Sequence, residues 1–182
     1  MPLSITVPER ELYDEASNRI IDVPRTTLVL EHSLLSISKW EAKWHKAYLG
    51  QQEKTREETI DYVRCMTVNS NVKPEVYYAL TKSNRREIEA YIADPMTATV
   101  IKTAPGAQRN RDVITSELVY YWMCELGIPF QPCEKWHINR LLMLIQVASI
   151  KKQPPKKMSK ASIAKQNSSL NAARRARHHT RG

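Results

Sequence analysis

Apolar and polar residues in the first thirty positions form short β-prone runs rather than a helical repeat. Residues 3–7 (LSITV) and 26–30 (TTLVL) are β-branched or apolar, and the residues between them are rich in Asp, Asn and Ser. Such runs, separated by turn-forming residues, predict an N-terminal β-hairpin with a further short strand at residues 20–23. Pro8 and Pro24 lack a backbone N–H and therefore confine the strands to edges or ends.

From residue 34 onward the apolar residues are spaced by three or four, which is the period of an amphipathic helix. This spacing is shown by Ile37, Trp40, Trp44 and Tyr48. Ser38 and Glu41 have the spacing of a capping box and predict the start of this helix. Thr55 and Glu58 form a second such box, which predicts a helix over about residues 56–67.

The middle of the chain predicts short helices and one β-prone segment. Pro74 suits the first turn of one helix, and Ser83 or Asn84 suits the cap of the next. Residues 96–101 (MTATVI) favour a short strand or extended segment that could join the hairpin. The polar residues 103–112 lack periodicity and predict an exposed, mobile loop.

The most apolar part of the chain predicts a pair of helices. The first runs from about Ile114 to Leu126 and is stopped by Gly127 and Pro129, and the second covers about residues 134–148. We expect this pair to form a helical hairpin at the centre of the core. The fold class that follows is mainly α (α+β), a helical domain with a small N-terminal β-hairpin.

The net charge of +9 is confined to the C-terminal end of the chain. From residue 151 onward there are ten Lys and Arg and no acidic residue, so the first 150 residues keep 18 of the 28 basic residues against all 19 acidic ones. Prolines among like charges predict a stiff linker, and the scarcity of large apolar residues after it predicts a disordered basic tail. We therefore divide the chain into a hairpin segment (1–32) packed on the helices, a helical domain (33–150) and a flexible tail (151–182).

No sequence pattern assigns catalysis, a cofactor or a metal ion. Cys133 and His137 are one helical turn apart, but no orienting residue accompanies them, and free cysteines are usually buried hydrophobes. Cys124 together with this pair lacks the close ligand spacing of a structural zinc site, and the sequence has no Gly-rich phosphate-binding loop. We predict a non-enzymatic protein with no cofactor and no metal site.

The cysteine count and the N-terminus indicate a compartment. Three cysteines without a CxxC pair do not describe a disulfide framework, which favours a reducing cytoplasm. The N-terminus lacks the basic start and apolar run of a signal peptide, and no stretch reaches the roughly 18 apolar residues that span a bilayer. We expect neither export by that route nor insertion in a membrane.

Aromatic residues are concentrated in the predicted helices, which usually indicates a core. Tyr120, Tyr121 and Trp122 are consecutive, however, and neighbours on a helix point about 100° apart. They cannot all face the core, so we expect part of this group to reach the surface or a subunit interface.

Four short runs of residues carry a resemblance to a known protein family. They are residues 34–41 (LLSISKWE), 114–123 (ITSELVYYWM) and 135–142 (KWHINRLL), with a related ending at 171–175 (NAARR). They resemble the small tail assembly chaperones of long-tailed (siphovirus-type) bacteriophages over about residues 26–180. The resemblance implies a protein of the host bacterial cytoplasm, absent from the mature virion, that binds the tape-measure protein and gives way as the tail-tube protein assembles around it.

A chaperone of this kind needs exposed apolar surface and many weak contacts, which the aromatic helices and the basic tail could supply. The residues expected to contact the client are Trp40, Trp44, Tyr121 and Trp122, with Arg174, Arg175 and Arg177 secondary. Homo-oligomerisation stays open. The alternatives are a virion structural protein, such as a head-tail connector or neck protein, and a nucleic-acid-binding protein that acts through its tail. The second is less favoured because the tail has no aromatic residue to stack on bases.

Overall fold

The computed structural model describes residues 2–14, 18–101, 113–152 and 160–178. These residues form a mainly helical α+β structure with a small β-hairpin near the N-terminus, as predicted. The strands are β1 (Leu3–Val7), β2 (Arg10–Asp14), β3 (Arg19–Val23) and β4 (Thr26–Leu30). The helices are α1 (Leu34–Trp44), α2 (Arg56–Met66), α3 (Glu75–Tyr78), α4 (Lys82–Ala93), α5 (Ser116–Leu126), α6 (Phe130–Cys133), α7 (Ile138–Lys152) and α8 (Lys160–His178). The chain divides into two compact units, Met1–Ser149 and Ile150–Gly182.

The strands follow one another in a single register as one long antiparallel hairpin. β1 pairs with β4, where Val7 lies opposite Thr26, and β2 pairs with β3, where Arg10 lies opposite Val23. The two ladders are separated by two residues on each side, and each of these gaps contains a proline. Because proline has no N–H to donate, the ladder is interrupted there while the register continues.

The hairpin is joined to the helical body by backbone hydrogen bonds. The N–H of Glu31 donates to the carbonyl of Met66, and the N–H of Val68 donates to the carbonyl of Val29, both at 2.8 Å. On the other strand, the Asn84 amide donates to the carbonyl of Thr6 at 3.2 Å. The hairpin residues buried in the core are Ile5, Val7, Val23, Leu28 and Leu30. Strands β1 and β4 therefore pack between α4 and α2.

Helix α1 begins earlier than the sequence predicted. Ser33 is the N-cap, with its side chain accepting the N–H of Ser36, and the helix starts at Leu34. The capping box assigned to Ser38 and Glu41 is wrong, because both residues lie inside the helix. Ser33 follows β4 closely and keeps an extended backbone, and this conformation lets its side chain cap the first turn of α1.

The sequence pattern predicted the N-cap of α2 correctly but not that of α4. Thr55 and Glu58 form the predicted capping box, with both reciprocal bonds present. At α4 the N-cap is Thr81 rather than Ser83 or Asn84, and Asn84 supplies the partner side chain of a second capping box. Position N3 of a capping box is usually Glu or Gln, and here it is Asn, so the sequence pattern did not identify this box.

Residues 96–101 form no strand and pair with neither ladder of the hairpin, so of the two alternatives the short strand is wrong. The carboxylate of Asp94 accepts the N–H of Met96 at 2.7 Å, which bends the chain after α4 as an Asx turn does. The loop predicted at residues 103–112 lies outside the described residues.

The centre of the core is α1 rather than the predicted pair of C-terminal helices. α1 packs against both α2 and α5, and α5 has no comparably extensive contact with α7 among the described residues. α7 also starts at Ile138, later than the predicted residue 134. The chain around this start is held by α1 and by the connection between β4 and α1: Leu35 donates its N–H to the carbonyl of Glu134, and Ile138 donates its N–H to the carbonyl of His32.

The C-terminal unit contains helix α8. It runs over 19 residues, and all of its side chains that the structure describes are exposed. The sequence predicts a tail that is disordered in the absence of a partner, because the segment has few large apolar residues, and the structure describes residues 160–178 as helix. Its alanines favour helix, while the lack of buried side chains means that helix propensity alone supports it.

Candidate protein-binding surface

Helix α5 is anchored in the core along one side only. Val119 and Met123 are fully buried, and the carboxylate of Glu41 on α1 accepts the N–H of Ser116 at 2.7 Å at the start of the helix. Gly127 ends it with a φ of 68°, the left-handed conformation that glycine adopts without strain. Tyr121 lies two residues from both anchors, about 200° around the helix, and therefore points away from the core.

The aromatic residues of α5 and of the start of α6 are together called the aromatic surface. We define it as Tyr120, Tyr121, Trp122 and Phe130. Tyr121 is 56% exposed and Phe130 is 43% exposed, while Tyr120 and Trp122 are half-buried. The rings of Tyr120 and Phe130 meet edge to face, with centroids 5.2 Å apart. The expectation that the consecutive aromatic residues cannot all be buried is confirmed.

Phe130 was missed in the sequence. It belongs to no periodic pattern, because it follows the break at Gly127 and Pro129. The available signal was its position: a large apolar residue placed directly after a helix-ending Gly-x-Pro segment lies on a turn, where burial is difficult.

Trp40 does not belong to any exposed surface, so its assignment as a client contact is wrong. Its side chain is 1% exposed, and its indole N–H donates to the backbone carbonyl of Glu58 at 2.9 Å. Helical spacing indicated the correct face of α1, but that face is the one packed on α2. Trp40 is a core residue that ties the two helices together.

Trp44 lies half-buried in a different place from the aromatic surface. Its indole N–H donates to the carboxylate of Asp61 on α2 at 2.9 Å, and Lys43 contacts the other oxygen of the same carboxylate at 2.5 Å. Trp44 also lines a cleft of about 280 Å³ between α1, α2 and α3. Of the predicted aromatic contacts, Tyr121 is exposed and Trp122 is half-buried on α5, and the two point about 100° apart around the helix.

A buried cluster of histidine and tyrosine side chains occupies the centre of the body. His32 is 2% exposed, shares a 2.5 Å hydrogen bond with the hydroxyl of Tyr62, and meets the ring of His137 edge to face at 5.0 Å. The ring of Tyr48 stacks on that of Tyr62 at 3.7 Å. Burial, and secondarily the charge of His137, lowers the pKa of His32 to about 3. Both histidines are therefore expected to be uncharged at neutral pH.

The pair of Cys133 and His137 lacks the geometry of a nucleophile and its base. His137 accepts the N–H of Asn139 at Nδ1, so the proton lies on Nε2, which donates to the carbonyl of Tyr91 at 2.9 Å. Both ring nitrogens are thus engaged by the backbone, and Cys133 is buried. Cys124 is exposed, and the described residues contain no group of three ligands that could hold a metal ion.

The arginines predicted as secondary contacts lie on α8. Arg174, Arg175 and Arg177 are all exposed in its last turns. Cations near the C-terminus of a helix interact favourably with its dipole, so they stabilise the helix whether or not they have a partner.

No helix among the described residues has the length and hydropathy needed to span a bilayer.

Comparison of the chain with protein families, with curated proteins and with solved structures finds no match.

Proposed function

We propose that the protein is a tail assembly chaperone of a long-tailed bacteriophage, which binds the tape-measure protein and promotes assembly of the tail tube around it. The sequence resemblance suggests this role. The observation that carries it is the aromatic surface on α5 and α6, where Tyr121 and Phe130 are exposed although α5 is firmly anchored. Aromatic residues that stay exposed are enriched at protein-binding sites.

A holdase needs to engage many segments of a long client with modest strength at each one. Tyrosine, tryptophan and phenylalanine suit this task, since they offer large contact areas and lose little conformational entropy on binding. The exposed arginines of α8 add attraction to acidic client segments, and tethering keeps these weak contacts at a high effective concentration. On this proposal the protein acts in the host cytoplasm and is absent from the finished virion.

Co-expression with the tape-measure protein tests the proposal. The protein is expected to keep the tape-measure protein soluble and to copurify with it. Tyr121→Ser combined with Phe130→Ser is expected to abolish both effects, because the variant removes exposed rings without opening the core. Val68→Ser combined with Val100→Ser is the control, since both side chains are exposed outside the aromatic surface.

Failure of the wild-type protein to rescue or bind the tape-measure protein would count against the proposal. Abundant peptides of the chain in purified virions would favour a head-tail connector or neck protein instead. Salt-sensitive DNA binding that disappears on deletion of residues 151–182, with no effect on the client, would favour a nucleic-acid-binding protein.

A further inference from the structure

The tip of the β-hairpin presents an apolar and acidic face to solvent. Tyr13 and Ile20 are cross-strand partners, and they are 63% and 66% exposed. Glu11 and Asp22, the partners two residues further along the strands, lie on the same face and are also exposed. Positions two residues apart in a strand are separated by about 7 Å, so each apolar residue has a carboxylate at that distance.

The tip is fixed in place by its opposite face. Leu12 and Ile21 alternate with the exposed pair and are half-buried, and together with Tyr13 they line a recess beside α3 that includes Pro74 and Tyr78. Because Leu12 and Ile21 occupy the inner face, the side chains of Tyr13 and Ile20 stay largely exposed, although the Tyr13 ring also reaches the edge of the recess. They form an exposed apolar pair on a β-ribbon, which soluble proteins usually cover or replace with charges.

A cleft of complementary character lies between α2 and α4. It has a volume of about 200 Å³ and an apolar floor that includes Val63, Leu80 and Ile88. The charged residues that line it are Lys54, Arg56, Arg85 and Glu89. The cations outnumber the single acid, so the cleft favours an apolar side chain flanked by carboxylates.

The recess beneath the hairpin tip adjoins the α2–α4 cleft. Arg56 lines both the cleft and the recess beneath the tip. When two complementary patches lie side by side, a two-fold axis between them places each patch on its counterpart in the other copy.

We propose that two copies of this chain form a symmetric dimer in which the hairpin tip of each copy docks into the α2–α4 cleft of the other. Ile20 and Tyr13 cover the apolar floor, while Glu11 and Asp22 face the cations of the rim. The basic tail is a poor occupant, because its charge has the same sign as the rim. This inference is independent of the proposed chaperone function.

Sedimentation equilibrium on the full chain measures the association. The wild-type protein is expected to form a particle of twice the 21.0 kDa mass of one chain, with weaker association at higher salt because the rim contacts are screened. Ile20→Lys and Arg85→Glu are each expected to weaken the dimer by about tenfold or more, since each places an unfavourable charge in the contact. Val68→Lys is the matched control, as Val68 is similarly exposed outside both patches, and it is expected to leave the dimer unchanged.

Mixing the two variants distinguishes this contact from an unrelated loss of association. An Ile20→Lys chain keeps its cleft and an Arg85→Glu chain keeps its tip, so the mixed dimer retains one intact contact and forms more tightly than either variant alone. Circular dichroism spectra matching the wild type confirm that both variants are folded. A wild-type protein that stays monomeric, assembles into open-ended oligomers, or forms a dimer unaffected by both variants would overturn the proposal, and so would a mixture no tighter than its components.

Discussion

Lowering the pH from 7 to 5 is expected to destabilise the body of the protein through its buried histidines. His32 is enclosed between the hydroxyl of Tyr62 and the ring of His137, and burial is the main cause that lowers its pKa from 6.5 to about 3. Burial also lowers the pKa of His137, against the opposing effect of its hydrogen bond to the Tyr91 carbonyl. Protonation of either ring would place a charge in the core beside the other one.

The sign and size of the effect follow from the two pKa values of His32. Between pH 6.5 and about pH 3 the unfolded chain binds a proton at this site and the folded chain does not, so acid favours unfolding. Each pH unit in this range costs about 1.4 kcal/mol, which gives about 2 kcal/mol of lost stability at pH 5. The stability lost at pH 5 is set by the pKa of His32 in the unfolded chain, because its pKa in the folded chain lies well below pH 5.

Urea unfolding at 25 °C, followed by tryptophan fluorescence at pH 7 and pH 5, measures the change in the free energy of unfolding. Protein concentration is held constant, since self-association would also contribute to stability. His32→Asn is the informative variant, because its amide keeps a polar group near Nδ1 and does not titrate. It is expected to be less stable than the wild type at pH 7 and to lose about 2 kcal/mol less between pH 7 and pH 5.

The chosen pH range separates this effect from that of the carboxylates. The hydrogen bond from Lys46 is the main cause that lowers the pKa of Glu58 from 4.5, so its contribution to stability is lost only at more acidic pH. Equal stability of the wild type at pH 7 and pH 5, or an unchanged pH dependence in His32→Asn, would refute the assignment of His32 as a buried neutral ring.

Further predictions concern helix starts and ends, each measured by the same urea unfolding at pH 7. Glu41→Ala leaves the buried N–H of Ser116 and that of Tyr48 without their acceptor and is expected to cost about 3 kcal/mol, whereas Glu41→Gln keeps an acceptor oxygen and should cost about half as much. Thr55→Ala removes a capping box and should cost about 1 kcal/mol, and a neutral effect would mean that the cap is not formed. Gly127→Ala has free space around its new Cβ, so its expected cost of about 1 kcal/mol comes from the φ of 68° alone. A stabilising effect of that substitution would contradict the left-handed helix end.

The parts of the fold that depend on neighbouring residues could be predicted, and those that depend on distant contacts could not. Thr55 with Glu58 and Ser38 with Glu41 have the same spacing, yet only the first pair caps a helix. The second pair fails because Ser33 caps α1 shortly after β4 ends, and because the carboxylate of Glu41 accepts the N–H groups of Tyr48 and Ser116 instead. Sequence spacing carries no information on either contact.

At the candidate site, too, the sequence alone did not show which aromatic residues are buried by distant contacts. A helical period indicates which side of α1 is apolar, but it does not say whether another helix covers that side. Trp40 is therefore buried under α2, while consecutive aromatic residues on α5 necessarily reached solvent because a helix cannot bury all of its sides against one neighbour. The histidine cluster was not predictable at all, since His32, Tyr62 and His137 come from three separate parts of the chain.

The firm anchoring of α5 bears on how tightly its aromatic surface could hold a partner. Val119 and Met123 beneath the helix and Glu41 at its start fix the backbone before any partner arrives, so binding at Tyr121 costs little ordering of the main chain. Each exposed ring has only two side-chain torsions to adjust to a bound apolar segment. A rigid helix with adjustable rings is suited to repeated, moderately weak contacts along an extended client, whereas a deep pocket would select one segment and release it slowly. This argument makes Glu41→Ala a test of function as well as stability, because loosening the start of α5 should weaken client binding even though Glu41 itself is buried.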